Sequence, residues 1–187
     1  MDYKIYILKV FLFLIYLFFG ILNNLYAKDL ISGYHFSEPS TQMIQDDEFL
    51  NPGFIWVEHG KALWEKKENV SDLSCNSCHG KVSNMKGVAI KFPKVNKSEN
   101  FINLEQQINI CREKEMKARK FEPESKNLLA LSVLLYYQSK GLKQNIEINE
   151  DNKKWFDIGE ELYFKKIGQM GLSCNQCHDD RVGNNLR

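Results

Sequence analysis

The stretch Cys75-Asn76-Ser77-Cys78-His79 decides how this chain of 187 residues is read. Its C-x-x-C-H pattern is the attachment signature of a c-type haem. Two thiols three positions apart can each form a thioether to one vinyl group of the porphyrin. The imidazole that follows is then held under the iron as proximal ligand. The pattern recurs as Cys174-Asn175-Gln176-Cys177-His178. One copy would also suit a redox pair or half of a zinc site, but two copies, each followed directly by histidine, point to two covalently bound haem c groups. Zinc ribbons set their cysteine pairs about 12–20 residues apart, whereas Cys78 and Cys174 are 96 positions apart. No βαβ pattern of the kind a thioredoxin-like motif needs surrounds Cys75. An odd total of five cysteines does not suit a disulfide scaffold.

Working outward from the signatures, aligning Cys75 with Cys174 sets an offset of 99 residues. The same offset pairs Trp56 with Trp155, Gly60 with Gly159, Leu63 with Leu162, Trp64 with Tyr163, and Leu73-Ser74 with Leu172-Ser173. This is an internal duplication. Each copy has an apolar-periodic helix carrying glycine and then an aromatic, a loop, and C-x-x-C-H. That order is similar to the start of a class I cytochrome c domain. The resemblance implies that the glycine lets a second helix approach closely and that the aromatic packs on the haem edge. The fold expected is all-α, with tandem class I cytochrome c-like domains of which the second is incomplete.

Along the chain, residues 28–51 are polar with scattered aromatics and are expected to be an extended lead-in. The first haem domain is expected over 52–143. Pro52 should open a helix running to about Lys67, since proline is tolerated in a first turn, with Phe54, Val57, Ala62, Leu63 and Trp64 near helical spacing. Gly80 to Asn100 reads as a lysine-rich loop wrapping the haem, broken by Gly87 and Pro93. Lysines 81, 86, 91, 94 and 97 read as its solvated face or as a docking patch. Leu104 to Lys120 is helical in pattern, with Ile108 and Cys111 on a common face, and Pro123 breaks it. Ser125 should cap a strongly apolar helix from Lys126 to Lys140, stopped by Gly141. That helix is expected to close the first domain by crossing the Pro52 helix. Residues 144–152 are polar and read as a linker, and 153–187 as the start of the second haem domain.

The amino terminus reads as a leader. Lys4 and Lys9 supply positive charge, and Val10 to Leu22 is an apolar run of 13 residues interrupted only by Gly20. That length suits a signal-peptide core better than a bilayer span, which needs about 20 residues. Leu25-Tyr26-Ala27 offers a cleavage point, so 1–27 is expected to be a signal peptide and the rest to be exported, to the periplasm. Membrane contact is then confined to the signal segment. Charge is near balance, with 25 basic and 24 acidic residues. Neither a strong field nor a basic tail argues for nucleic acid.

A haem iron held by His79 has a second axial position, with Met85, Met116, His35, His59 and Cys111 as candidates. Methionine is the usual partner in electron carriers, where it raises the potential. Cys111 is the better choice. It is the cysteine left over from the two signatures, and in an oxidising compartment an unpaired thiol is a liability unless it has a role. A thiolate on iron is stable and lowers the potential.

Three further stretches carry a family resemblance. Met85-Lys86-Gly87-Val88-Ala89 with Phe92-Pro93, then Asn103-Leu104-Glu105-Gln106-Gln107-Ile108-Asn109-Ile110-Cys111-Arg112, then Leu128-Leu129-Ala130-Leu131, resemble the SoxA family. These are dihaem c-type subunits of the SoxAX complexes of periplasmic sulfur oxidation. The likeness runs from about Tyr34 to the end, and the Asn103–Arg112 stretch is its most specific part. It implies that Cys111 is the distal ligand of the first haem, and that His79 and His178 are proximal ligands. It implies an L-cysteine S-thiosulfotransferase that couples thiosulfate oxidatively to a cysteine of the carrier SoxY, in SoxYZ, and passes two electrons on through the SoxX cytochrome. Family members continue past the second signature to a persulfidated distal cysteine beside an arginine. By the internal offset that cysteine falls near position 210, beyond Arg187. The sequence is therefore expected to be a C-terminally truncated member with no catalytic cysteine of its own. A dihaem electron carrier without bond-making activity is the alternative.

Overall fold

A helix crossing at Gly60 organises the first half of the chain. In the computed structural model, which describes residues 32–181 apart from Lys97 and Glu99, Gly60 lies in α2 (Phe54–Glu65). Val57, Gly60 and Trp64 recur at helical spacing and form the buried face of α2. That face packs on α5 (Lys126–Tyr137), whose buried residues include Leu128, Ala130, Leu131, Leu134 and Leu135. A β-carbon at position 60 would lie 2.5 Å from the Ala130 carbonyl oxygen and 2.8 Å from Leu134 Cβ. Only glycine lets the two backbones approach this closely, as expected from the sequence. Val57, Trp64, Ala89, Phe92, Ile102, Leu104, Leu131, Leu134 and Leu135 form the core. Each fully buried leucine among them contributes about 1.5–3 kcal/mol by leaving water.

The other elements hang on this pair. α1 (Pro39–Asp46) precedes α2, and α3 (Cys75–His79) carries the first signature. Two 3-10 turns, Val82–Met85 and Ala89–Lys91, lead to a two-residue antiparallel pair, β1 (Lys94–Val95) and β2 (Phe101–Ile102), with Lys94 opposite Ile102. The Ala89 N–H donates to Ser139 Oγ at 3.3 Å, tying this loop to the end of α5. α4 (Leu104–Lys114) follows. The segment after α5 stays on the first domain: the Asn145 N–H donates to Ile90 O, and the Gln144 side-chain amide donates to Phe92 O. α6 (Lys153–Phe164) and α7 (Cys174–His178) complete the described chain. Residues up to Glu38 form a unit of their own. Its described part is the 3-10 turn Gly33–Phe36, capped by Ser32.

Several boundaries differ from the sequence reading. The lead-in expected to be extended over 28–51 contains α1, which begins on Pro39, a residue whose fixed φ suits a first helical turn. With no buried residue, α1 left no apolar stripe to be read. Pro52 lies in the turn before α2, which starts at Phe54 and ends at Glu65. α4 stops at Lys114 instead of Lys120 because Arg112 draws the chain back. Its Nε and Nη2 donate to Arg119 O at 3.1 and 3.0 Å, and Lys117 turns with φ +51°. α5 ends at Tyr137, three residues before the expected Lys140. The expected leader, 1–27, lies outside the described residues. Among the described residues, no helix is long and apolar enough to cross a membrane.

The duplication persists in detail. The Glu68 N–H donates to Leu73 O at 2.9 Å, and the Ile167 N–H donates to Leu172 O at 3.0 Å, both pairs related by the 99-residue offset. The Trp64 indole N–H donates to Gly80 O, and the offset counterpart, Tyr163 Oη, donates to Asp179 Oδ1 at 2.9 Å. The helices differ in their surroundings. α6 buries no residue, and a β-carbon on Gly159 would meet nothing within 4 Å. In this chain Gly60→Ala should therefore cost about 1–3 kcal/mol by overpacking, whereas Gly159→Ala should gain up to about 1 kcal/mol from helix propensity. Denaturant titration of the haem-loaded variants, followed by helical circular dichroism, measures both. Equal effects at the two sites would mean that α2 and α5 do not cross at Gly60.

Candidate haem-binding site

The first signature forms a helix because Ser74 starts it. Ser74 Oγ accepts the Ser77 N–H at 3.2 Å, and Ser77 Oγ accepts the Ser74 N–H at 3.0 Å, a reciprocal capping box. One turn of helix then places Cys75 and Cys78 on neighbouring sides, with His79 at its end. Gly80 closes the turn at φ +67°, where a side chain would be strained. Its carbonyl oxygen accepts the buried Trp64 indole N–H at 2.9 Å, and the Trp64 and His79 rings lie 5.8 Å apart. The indole thus fixes both the end of α3 and the setting of the imidazole.

α4 is started by a second capping box, between Asn103 and Gln106. Leu104 and Ile108 point into the core region, and Cys111 follows Ile108 by three residues onto the same cavity wall. The cavity, about 390 Å³, is lined among others by Trp64, Cys75 and His79 and by Gln107, Ile108 and Cys111 of α4. Leu131 and Leu135 of α5 and Phe92 of the loop supply further apolar wall.

The sequence candidates sort clearly. Cys75, His79 and Cys111 line one cavity, together with Met85 and Met116. His59 does not: it is exposed, and its Nε2 hydrogen-bonds Asn127 Oδ1 at 2.9 Å. Cys78 lies exposed on α3, and Cys174 and Cys177 are exposed on α7. α7 repeats the capping logic, with the Ser173 N–H donating to Gln176 Oε1 at 2.9 Å, and His178 ends it. Lys91 and Lys94 are exposed, as the solvated loop face expected from the sequence requires, and they also border the first cavity. Lys94 Nζ sits 4.7 Å over the Phe92 ring.

Two residues of the site escaped the sequence reading. Arg112 is almost fully buried beside Cys111 and pairs with Glu68 Oε1 at 2.7 Å, its guanidinium lying 3.6 Å over the Phe121 ring. A buried cation held by an ion pair, a carbonyl and an aromatic face is a rigid anchor for the end of α4. Gln107 donates from Nε2 to Cys111 Sγ at 3.4 Å. Its only advance signal was the spacing of one helical turn before Cys111. Burial pushes the Cys75 thiol up to about 11, with the Arg112 cation opposing and Cys111 adding to the rise. Cys75, Cys111 and Arg112 therefore share one electrostatic environment.

Known proteins resemble this arrangement. The family model described as SoxA/TsdA, cytochrome c domain, matches residues 59–144. The L-cysteine S-thiosulfotransferase subunit SoxA of Paracoccus pantotrophus is 31% identical over 159 residues, 84% of this chain and 55% of the relative. That of Pseudaminobacter salicylatoxidans is 32% identical over 84% of this chain and 56% of the relative. The crystal structure of SoxXA from P. pantotrophus contains a chain that superposes with a TM-score of 0.79 at 31% identity, covering 84% of this chain and 60% of that one. The chain thus spans about half the length of the curated relatives it matches.

A cytochrome c domain implies covalently bound haem c, and the residues present fit that group. The cavity is of cofactor size, its walls are largely apolar, and it gathers a thiol and an imidazole from α3 and a second thiol from α4. The fold is all-α, as expected, with one short β pair added. The site, the fold and the sequence relatives agree: this chain carries a cytochrome c domain, and residues 59–144 match the SoxA/TsdA family model.

Proposed function

We propose that this chain is the haem-bearing SoxA-type subunit of an exported sulfur-oxidising cytochrome complex, carrying two haem c groups. The observation that carries the reading is the single cavity lined by Cys75, His79 and Cys111, in a chain related to SoxA over 84% of its length. In this reading Cys75 and Cys78 anchor the first haem and Cys174 and Cys177 the second. His79 and His178 would each hold an iron, and Cys111 would supply the second protein ligand at the first. Bound haem supplies a one-electron couple at each site.

The chain's own residues then have defined tasks. Trp64 and Gly80 hold the end of α3, and Leu131, Leu135 and Phe92 exclude water from the first site. Lys91 and Lys94 place positive charge at its rim. The reaction proposed for the complex joins the outer sulfur of thiosulfate to a cysteine sulfur of a SoxYZ-type carrier. A sulfur–sulfur bond would form, the thiol would lose its proton, and two electrons would pass to a SoxX-type cytochrome; the haems held by the two C-x-x-C-H signatures would supply the one-electron couples. The compartment proposed is the periplasm, reached by means of the leader over 1–27.

Three measurements test this reading. After expression with haem-maturation machinery, pyridine haemochrome spectra should give two haem c per chain, and one in the Cys174→Ala/Cys177→Ala variant. Cys111→Met should replace the ferric thiolate spectrum and raise the first haem's potential by on the order of 100 mV. An unchanged spectrum and potential would remove Cys111 as ligand. Mixed with a SoxX-type cytochrome, SoxYZ and thiosulfate, a form of the protein that continues through the distal cysteine expected near position 210 should yield carrier bearing a thiosulfonate on its cysteine, read by mass spectrometry. Haem reduction and reoxidation with no carrier modification would favour the dihaem electron carrier instead.

A further inference from the structure

We propose that Gln107 is a positioning residue for the distal side of the first haem, acting through a hydrogen bond to the Cys111 sulfur. The inference rests on Cys111 being the distal ligand. Gln107 and Cys111 lie one turn apart on α4, both are half-buried, and both line the cavity that His79 also lines. The Gln107 side-chain amide reaches Cys111 Sγ at 3.4 Å, a distance suited to an N–H···S bond. The backbone beneath them is held firmly. The Cys111 carbonyl accepts the N–H groups of Glu115 and Met116 at 3.0 and 3.2 Å. The next residue, Arg112, is locked by Glu68, the Arg119 carbonyl and the Phe121 ring. The backbone that carries the sulfur is therefore held, and Gln107 supplies a donor to the sulfur from within the cavity wall.

The consequence is electronic as well as steric. A donor on a ligand sulfur draws off part of its lone-pair charge, so the sulfur gives less to the iron and the ferric state is favoured less. Without that donor the thiolate would be a stronger ligand and the potential would fall. Gln107 would thus moderate the low potential that a thiolate ligand imposes, keeping the first haem closer to the range of an exchange partner. A helix-surface glutamine with a purely structural role would change neither the sulfur's electronic signature nor the potential.

The experiment is a redox titration of the full haem-loaded chain followed by electron paramagnetic resonance, comparing the native protein with Gln107→Leu and Gln107→Glu. The native protein should show a low-spin ferric signal with thiolate character, and if it does not, the reading of Cys111 as ligand fails first. With that signal present, Gln107→Leu should shift its g-values and move the ferric/ferrous ratio at a fixed applied potential about tenfold toward ferric, 59 mV for one electron. Gln107→Glu, which replaces the donor with a negative charge, should move it further the same way. A thiolate signal replaced by another ligand set, at unchanged haem content, also supports the positioning role. Signals and potentials equal to the native protein in both variants overturn it. So does an iron–sulfur stretching frequency that transfer of the native protein to D₂O leaves unmoved, a test that does not depend on how the variants fold.

Discussion

The contact between the backbones of α2 and α5 at Gly60 is the constraint on which the first half depends. Helices this close need a residue without a β-carbon at the crossing, since any side chain would meet the Ala130 carbonyl oxygen at 2.5 Å. The crossing brings Trp64 and Leu134 into one core. The cavity is the space left between those helices and α4. A shift of α5 by even an ångström would alter the wall that Leu131 and Leu135 present to it.

The duplication shows which features belong to the signature and which to its surroundings. Both copies keep the serine-started helical turn, the β-like backbone bond that precedes it, and an aromatic side chain donating to the residue just after the histidine. These are local, and both copies have them without regard to what packs behind. The close helix crossing is not local, and among the described residues only the first copy has it. In the second, Leu162, Phe164, Ile167 and Leu172 of the same motif stay exposed. Trp155 stacks instead on Phe101 at 5.4 Å, joining the start of the second copy to the hairpin of the first.

Polar groups inside the first site are few, and Arg112 is held by several partners. Arg112 is nearly sealed from water yet answers Glu68, the Arg119 carbonyl and the Phe121 face. A buried guanidinium without those partners would cost several kcal/mol, on the order of 3–5 for a broken buried pair. Its placement beside Cys111 makes the end of α4 the least yielding part of the wall. That rigidity lets one amide, Gln107, act on one sulfur.

Much of this was legible in the sequence, because it follows from short-range chemistry. C-x-x-C-H states its own attachment geometry, and the 99-residue offset picks out the paired glycines and aromatics. The apolar run after Ser125 announces a closing helix. The capping box at Asn103 and the cysteine eight residues later set α4 and its thiol. What the sequence left open depends on groups distant along the chain. That α4 ends at Lys114 follows from Arg112 reaching the Arg119 carbonyl, and that Lys91 and Lys94 line a cavity follows from Ala89 being tied to Ser139. α1 buries nothing, so no periodicity marked it. The sequence by itself determined the ligand types and the helical class, since those rest on covalent spacing and local periodicity. Only the tertiary structure decided which side chains face the cavity together, because that depends on where α2 and α5 cross.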